Sequence, residues 1–272
     1  MPKLRKAILR ILKVQNENSS STLNIMIKGI LSFVGIESSH RFFDLLRNIY
    51  RRSGSHIKLT KSTSFNGEDL AVAHFLPEAN GRYLDIGSGD PVRGSNTYLF
   101  YKRGWSGITI DPLVRANRKH KRKRRRDDQI IACVSGPEFQ GSDILFYEYV
   151  ADDFSTTSKE RYLELQAIGV KPKSIRTVKS INLNELELKT NPLEAFFMDI
   201  DIEGEELSVL RTINWTIFSP RVIAVEEWRS PVYEITKVRA FLEGKGYLLE
   251  ARTSVTSIYV HSFYLNTLDK PL

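Results

Sequence analysis

The sequence has little cysteine and no long apolar run, and both shortages narrow the classes of protein to consider. Among 272 residues only Cys133 is a cysteine, which excludes an intramolecular disulfide and fits a reducing compartment such as the cytoplasm. No stretch of about 18 uncharged apolar residues occurs, so no transmembrane helix is expected. The basic start of the chain has no small-residue cleavage site after it, so a signal peptide is not expected either.

Positive charge is concentrated in two short segments. The net charge is +8, yet residues 115–126 hold nine Lys or Arg and no acid, and five more lie between residues 3 and 13. The rest of the chain is therefore net acidic. The run 115–126 has almost no apolar face, so we expect a solvated helix or loop. It could bind phosphates of nucleic acid, of lipid head groups or of a sugar-phosphate carrier, or it could have no partner.

The chain is predicted to divide into a helical N-terminal appendage, residues 1–60, and a domain of residues 61–272. Apolar residues at helical spacing predict a basic amphipathic helix over residues 2–14. That helix could lie on an anionic surface, which would place a cytoplasmic protein at the inner membrane surface, or it could pack on its own domain. Beyond residue 61, strands and helices alternate and end in a hairpin. This order predicts an α/β fold, a doubly wound, mostly parallel sheet with an antiparallel C-terminal edge.

Residues 83–111 predict a nucleoside site. A short apolar run ends in Gly87-Ser88-Gly89, which is typical of a buried parallel strand entering a tight turn. A second strand, residues 107–110, places Asp111 at its C-terminal end. Ligands bind beyond the carboxyl ends of such strands, and an acid about 20 residues past the glycines is suited to ribose hydroxyls.

The kind of cofactor is inferred from the residues that are absent from the glycine turn. This turn has no Lys-Ser/Thr pair to hold phosphates and no third glycine at dinucleotide spacing. Asp85 instead precedes the glycines, which suits a cofactor with a positive centre and no phosphates. Asp85, Gly87, Gly89 and Asp111 are therefore predicted to bind S-adenosylmethionine. The alternative is an ordinary strand-to-helix turn followed by a surface aspartate.

Carboxylates also follow a second buried strand, residues 195–198. Asp201 and then Glu203 are the preferred catalytic residues, since a base must take the proton of a hydroxyl acceptor. The same two residues are candidate ligands for Mg²⁺ or Mn²⁺. Asp199 is expected to face solvent, and Glu226 is a weaker candidate base. For Glu203 the alternative is charge stabilisation of a helix N-terminus.

Three motifs resemble the FkbM-type S-adenosylmethionine-dependent methyltransferases: YLDIGSGDP (83–91), SNTYLFYKRGWSGITIDP (95–112) and IDIEGEELSVL (200–210). SFNGEDL (64–70) and SPRVIAVE (219–226) resemble segments of the same family, although Phe65 stands where glutamine is usual. The resemblance implies a class I methyltransferase fold, commonly with O-methylation of a hydroxyl on a sugar or natural product. It places Asp85, Gly87 and Gly89 in the cofactor loop and Asp111 at the ribose position. Asp201, Glu203 and Gly204 fall in its acidic motif.

The sequence leaves two alternatives to a glycan or small-molecule O-methyltransferase. An RNA methyltransferase would use the basic run 115–126, but that run lacks the interleaved aromatic residues of a single-strand binding groove. A catalytically silent binding module would keep the fold alone. Intact Asp85, Gly87, Gly89 and Asp111 count against the silent module.

Overall fold

The computed structural model describes residues 62–136, 142–150, 154–227 and 235–268. The chain divides into two units, residues 1–59 and 60–272, and all described residues belong to the second. The predicted helix 2–14 and the helical appendage 1–60 lie outside the described residues and stay predictions. None of the described helices has both the length and the apolar character that a membrane crossing requires.

Strands and helices alternate through most of the described domain. The strands are β1 (Arg82–Ile86), β2 (Ser106–Ile110), β3 (Asp128–Ile130), β4 (Cys133–Val134), β5 (Asp143–Glu148), β6 (Ser174–Ile181), β7 (Phe196–Ile200), β8 (Val222–Glu226), β9 (Tyr247–Thr253) and β10 (Thr256–His261). The α-helices are α1 (Glu68–Phe75), α2 (Tyr98–Arg103), α3 (Val114–Lys123), α4 (Lys159–Ala167), α5 (Glu206–Thr212), α6 (Lys237–Glu243) and α7 (Ser262–Leu268). A short 3₁₀ helix spans Leu183–Leu186.

Seven strands form the central sheet, in the order β3-β2-β1-β7-β8-β10-β9. The first five are parallel, whereas β10 runs antiparallel to both β8 and β9. This confirms the predicted α/β class, with its mostly parallel sheet and antiparallel C-terminal edge. The register aligns Ile86 with Ile110 and Ile200. The residues that follow these three therefore emerge at one edge of the sheet.

Both faces of the central sheet are buried, as is usual when helices cover a parallel sheet. Leu84 and Met198 pack in one apolar cluster. Tyr83 and Phe197 alternate with them and pack in another, which contains Trp105 from the turn after α2. Every residue of β7 is accordingly buried.

A second sheet, in the order β4-β6-β5, lies in the chain between β3 and β7. Residues 129–135 (QIIACVS) form a largely apolar run that is typical of a single strand, but the structure ends β3 at Ile130 and pairs β4 with β6 instead. The apolar run is continuous, so composition alone does not show this change of partner. The predicted C-terminal ribbon likewise ends at His261, and α7 follows it.

Candidate active site

A cleft lies beyond the C-terminal ends of the parallel strands. Its walls include Gly87 and Gly89 after β1, Asp111 after β2, and Asp201 after β7. The small sheet contributes Phe146 to the lining. Four predicted site residues that are distant in the sequence are thus brought together. This is the position at which open α/β sheets hold their ligands.

Gly87 permits close contact between the ends of β1 and β7. Its N–H donates to the Ile110 carbonyl at 2.9 Å, and the Asp201 N–H donates to the Ile86 carbonyl at 3.0 Å. The φ angle of Gly87 is 84°, and a Cβ there would lie 1.8 Å from the Asp201 carbonyl oxygen. A side chain at this position would therefore displace the chain that carries the candidate base.

Gly89 presents open backbone to the cleft. Its φ angle is 48°, and a Cβ added there would meet nothing nearer than the Gly87 carbonyl oxygen, at 3.9 Å. The left-handed conformation favours glycine. The space beside this glycine is thus available to a ligand.

Asp111 supports the glycine turn while it lines the cleft. One carboxylate oxygen accepts the Gly89 N–H at 2.9 Å, and the other accepts the Leu113 N–H at 2.7 Å. Only 5% of the residue is exposed, and burial raises the pKa of Asp111 to about 6. A carboxylate oxygen has lone pairs for more than one donor, so these bonds leave capacity for a ligand hydroxyl.

Asp85 is placed differently from the other predicted cofactor residues. Asp85 is not among the described residues that line the cleft. Its carboxylate accepts from the Thr97 hydroxyl and lies 3.6 Å from a guanidinium nitrogen of Arg124. The structure therefore shows a buried ion pair behind the glycine turn, and direct contact of Asp85 with a cofactor stays a prediction.

The expectation that the run 115–126 is solvated is wrong for Arg124, which is buried. It is 0% exposed, and its Nε lies 2.6 Å from an Asp127 carboxylate oxygen. Its other nitrogens donate to the hydroxyls of Ser95 at 3.2 Å and Thr97 at 2.9 Å. A buried arginine is tolerated because its charge and its donors are all matched. The local charge pattern could not reveal acids on other strands.

Residues 115–123 of the run belong to α3, whose inner face touches the cofactor turn. The His120 ring lies 3.2 Å from the Gly89 carbonyl oxygen, and the Asn117 amide donates to the Asp111 carbonyl at 2.8 Å. The outer face is exposed and basic, as the sequence predicted, and includes Arg118, Lys121 and Arg122. Burial lowers the pKa of His120 to about 4, so this residue is neutral at pH 7.

The expectation that Asp199 faces solvent is wrong. Asp199 is 5% exposed, pairs in register with Asp85, and accepts from the Asn96 amide at 3.1 Å. Burial and the neighbouring Asp85 charge raise the pKa of Asp199. Alternation along β7 does not imply exposure, because helices cover both faces of the sheet.

Asp201, Glu203 and Glu226 form a carboxylate cluster. One oxygen from each lies within 4.8 Å of the others, and Asp201 is exposed. Burial and the charges of Asp201 and Glu203 raise the pKa of Glu226. The sequence ranked Glu226 as a weak candidate, and the structure brings it beside the two preferred residues. Oxygen ligands at this spacing fit a hard divalent cation.

Glu203 is held in an unusual backbone conformation. Its φ angle is 59°, which is uncommon for a residue other than glycine. Its carboxylate lies 3.4 Å from Arg161, and its carbonyl accepts from the Thr156 hydroxyl at 2.9 Å. Glu206 instead accepts the N–H groups of Ile202 and Gly204 ahead of α5. Glu206 therefore satisfies backbone donors at this turn, and charge stabilisation of the helix N-terminus by Glu203 stays an alternative.

Sequence reasoning missed several lining residues. Phe146, Thr156 and Asn96 all face the cleft. Phe146 belongs to β5 and Thr156 to the segment after it, and neither stands in a motif with recognisable spacing. Asn96 lies inside the motif of residues 95–112, which by itself indicates no role for this side chain in the site.

Comparison with known proteins identifies a family for this chain. A sequence model of the methyltransferase FkbM domain matches residues 85–249, more than half of the chain. No curated protein matches the chain significantly. Among solved structures, the precorrin-6y C5,15-methyltransferase of Geobacter metallireducens GS-15 is similar over 71% of this chain and 84% of its own. Its sequence identity is 12% and its TM-score is 0.33.

The matched segment contains the glycine turn, Asp111 and the carboxylate cluster, and membership of the family implies S-adenosylmethionine as the methyl donor. The chain belongs to the FkbM methyltransferase family.

Proposed function

We propose that the protein transfers a methyl group from S-adenosylmethionine to a hydroxyl oxygen of a sugar, a glycan or a related natural product. The observation that carries the proposal is the position of the carboxylate cluster. Asp201 and Glu203 border the same cleft as Gly87, Gly89 and Asp111. A base is thereby held next to the site that suits the methyl donor.

The cleft fits the nucleoside part of the donor. Asp111 would accept hydrogen bonds from the ribose hydroxyls, and the open backbone at Gly89 would lie against the ligand. Leu113, Ala132 and Phe146 supply the apolar surface that a purine base requires. When bound, the donor supplies an electrophilic methyl group on a sulfonium centre.

Asp201 is the proposed general base. The Asp201 carboxylate would take the proton that the acceptor hydroxyl loses as its oxygen displaces the sulfur and gains the methyl group. Asp201 is exposed to the cleft, whereas Glu203 lies against Arg161 and Glu226 is more buried. Glu203 is proposed to orient the acceptor and to serve as the second candidate base.

A divalent cation is the alternative use of the cluster. Mg²⁺ or Mn²⁺ held by Asp201 and Glu203, with Glu226 beside them, would lower the pKa of the acceptor hydroxyl. The two uses are separable, because a chelator such as EDTA removes activity only if the cation is required.

The test compares Asp201→Asn with the wild-type protein. We expect methyl transfer to fall by about 10²–10⁴-fold, the usual contribution of general base catalysis. Affinity for S-adenosylmethionine should stay near wild type, because the donor site is formed by other residues. Transfer is measured with radiolabelled donor against fractionated glycans, lipids and RNA.

Full turnover by Asp201→Asn would remove the base and metal roles together. Label in the RNA fraction, with binding that weakens steeply as salt rises, would instead favour the exposed basic face of α3 as the acceptor site. Failure of the wild-type protein to bind S-adenosylmethionine would leave a silent binding module.

A further inference from the structure

A second cavity meets the cleft at the carboxylate cluster. Glu203 and Glu226 line both spaces, whereas the second lining includes none of Gly87, Gly89 and Asp111. Its walls are the first turns of α4 and the start of α6. The volume of about 750 Å³ lies within the range of about 300–1,000 Å³ that small-molecule sites occupy.

The arrangement divides two tasks between two spaces. The cleft presents the features suited to the methyl donor, and the second cavity reaches the same carboxylates without them. A molecule in the second cavity would therefore reach Glu203 and Glu226, whose carboxylates lie within 4.8 Å of that of Asp201, while the donor site is filled. This is the geometry that a two-substrate transfer requires.

The lining of the second cavity is strongly acidic. Its described residues include six glutamates, one arginine and one lysine: Glu160, Glu164, Glu203, Glu206, Glu226, Glu227, Arg161 and Lys237. Arg161 lies 3.8 Å from Glu164 and 3.4 Å from Glu203. Glu227 accepts from the hydroxyls of Thr236 and Tyr259. These neutral donors satisfy lone pairs without cancelling the charge of Glu227. Even without Glu206 and Glu226, whose pKa values burial raises, the described lining has four carboxylates against two cations, so its net charge is negative.

We propose that this second cavity is the acceptor site, and that its acceptor is a polyhydroxylated compound that is neutral or cationic and has no phosphate or carboxylate group. This inference rests on the proposed function. Carboxylates accept hydrogen bonds from sugar hydroxyls and attract an ammonium group, whereas an anionic group placed beside them is repelled. The exposed basic face of α3 does not offset this repulsion. It lies at β2 and β3, and β1 separates these strands from β7 and β8 at the cavity.

The test measures binding of three probes to the full chain saturated with S-adenosylhomocysteine. The probes are methyl glucoside, glucosamine and glucose 6-phosphate. The binding of each probe is measured by ligand-observed NMR titration. We expect glucosamine to bind at least as tightly as methyl glucoside. We expect glucose 6-phosphate to bind at least about tenfold more weakly than methyl glucoside, which corresponds to about 1.4 kcal/mol of binding free energy.

A charge-reversed pair of variants locates the effect. Glu160 lines the second cavity from α4, whereas Glu250 is exposed on β9 and lies outside its lining. Glu160→Lys replaces a negative charge at the protein surface by a positive one. It should therefore lower the affinity for glucosamine, and raise the affinity for glucose 6-phosphate, by about threefold each. Glu250→Lys should change neither affinity. Unchanged affinity for S-adenosylmethionine in both variants shows that the fold is retained.

Three results overturn the inference: equal or tighter binding of glucose 6-phosphate, no binding of any probe, or no difference between the two variants. Each is distinct from failure of the proposed function, which is a wild-type protein that does not bind S-adenosylmethionine at all.

Discussion

Replacement of Arg124 by methionine tests whether the basic run anchors the cofactor turn. The guanidinium is fully buried, contacts Asp127 at 2.6 Å and Asp85 at 3.6 Å, and donates to two hydroxyls. Methionine fills similar space but leaves two buried carboxylates without their cation. Removing one partner of a buried ion pair costs about 3–5 kcal/mol.

The remaining donors place the expected loss at the lower end of that range. Asp127 still accepts from the Tyr83 hydroxyl at 2.6 Å, and Asp85 still accepts from Thr97. The loss should also depend on pH. Burial already raises the pKa of Asp85, and removal of the cation raises it further in the folded state alone. The folded variant therefore binds extra protons, so its stability deficit is smaller at pH 5 than at pH 8.

The assay is urea unfolding followed by tryptophan fluorescence, since Trp105 is fully buried. Arg125→Met is the matched control, because Arg125 is the exposed neighbour in the same run. The control should lie within about 0.5 kcal/mol of wild type, as expected for a surface position. An Arg124→Met variant as stable as this control would refute the anchoring role.

Two further predictions concern the cofactor turn. Gly87→Ala should destabilise the domain by several kcal/mol more than Gly169→Ala in the same urea assay. Both glycines have positive φ, so alanine at either position has the same conformational cost of about 1–2 kcal/mol. Only the Cβ at position 87 would also meet backbone, at 1.8 Å from the Asp201 carbonyl oxygen. Equal losses would show that the close approach is not required. The pKa of Asp111 is about 6 when folded and 3.8 in the unfolded chain. The folded state therefore binds more protons in this window, and the free energy of unfolding should fall by about 2 kcal/mol as pH rises from 4 to 6. Asp111→Asn should flatten that part of the pH profile, and an unchanged slope would contradict the assignment.

The mostly parallel sheet with its antiparallel edge, and the position of Asp111 and Asp201 at strand ends, could be predicted from sequence. Each follows a short apolar run, and the ends of parallel strands share one edge of the sheet. Glycines at positions 87 and 89 mark a turn that other residues do not adopt. These signals are local, so a single sequence contains them.

The partners of Asp85 and the burial of Asp199 could not be predicted in this way. Arg124 stands among eight other basic residues, and nothing local separates the one that turns inward. The prediction for Asp199 was wrong because alternation of side chains along a strand indicates exposure only when one face of the sheet is open to solvent. The second cavity is formed by α4, α6 and the ends of β7 and β8, so it exists only once the chain is folded.

Calorimetric titration of S-adenosylmethionine into the full chain tests the central claim most directly. The account predicts saturable binding to the wild-type protein. Asp111→Ala should weaken it by about tenfold or more, since a hydrogen bond to a charged group contributes about 1.5–3 kcal/mol. Asp128→Ala, at an exposed aspartate on β3, should leave affinity unchanged. Absence of heat with the wild-type protein, or equal affinity in the two variants, would contradict the assignment of this cleft as the methyl-donor site.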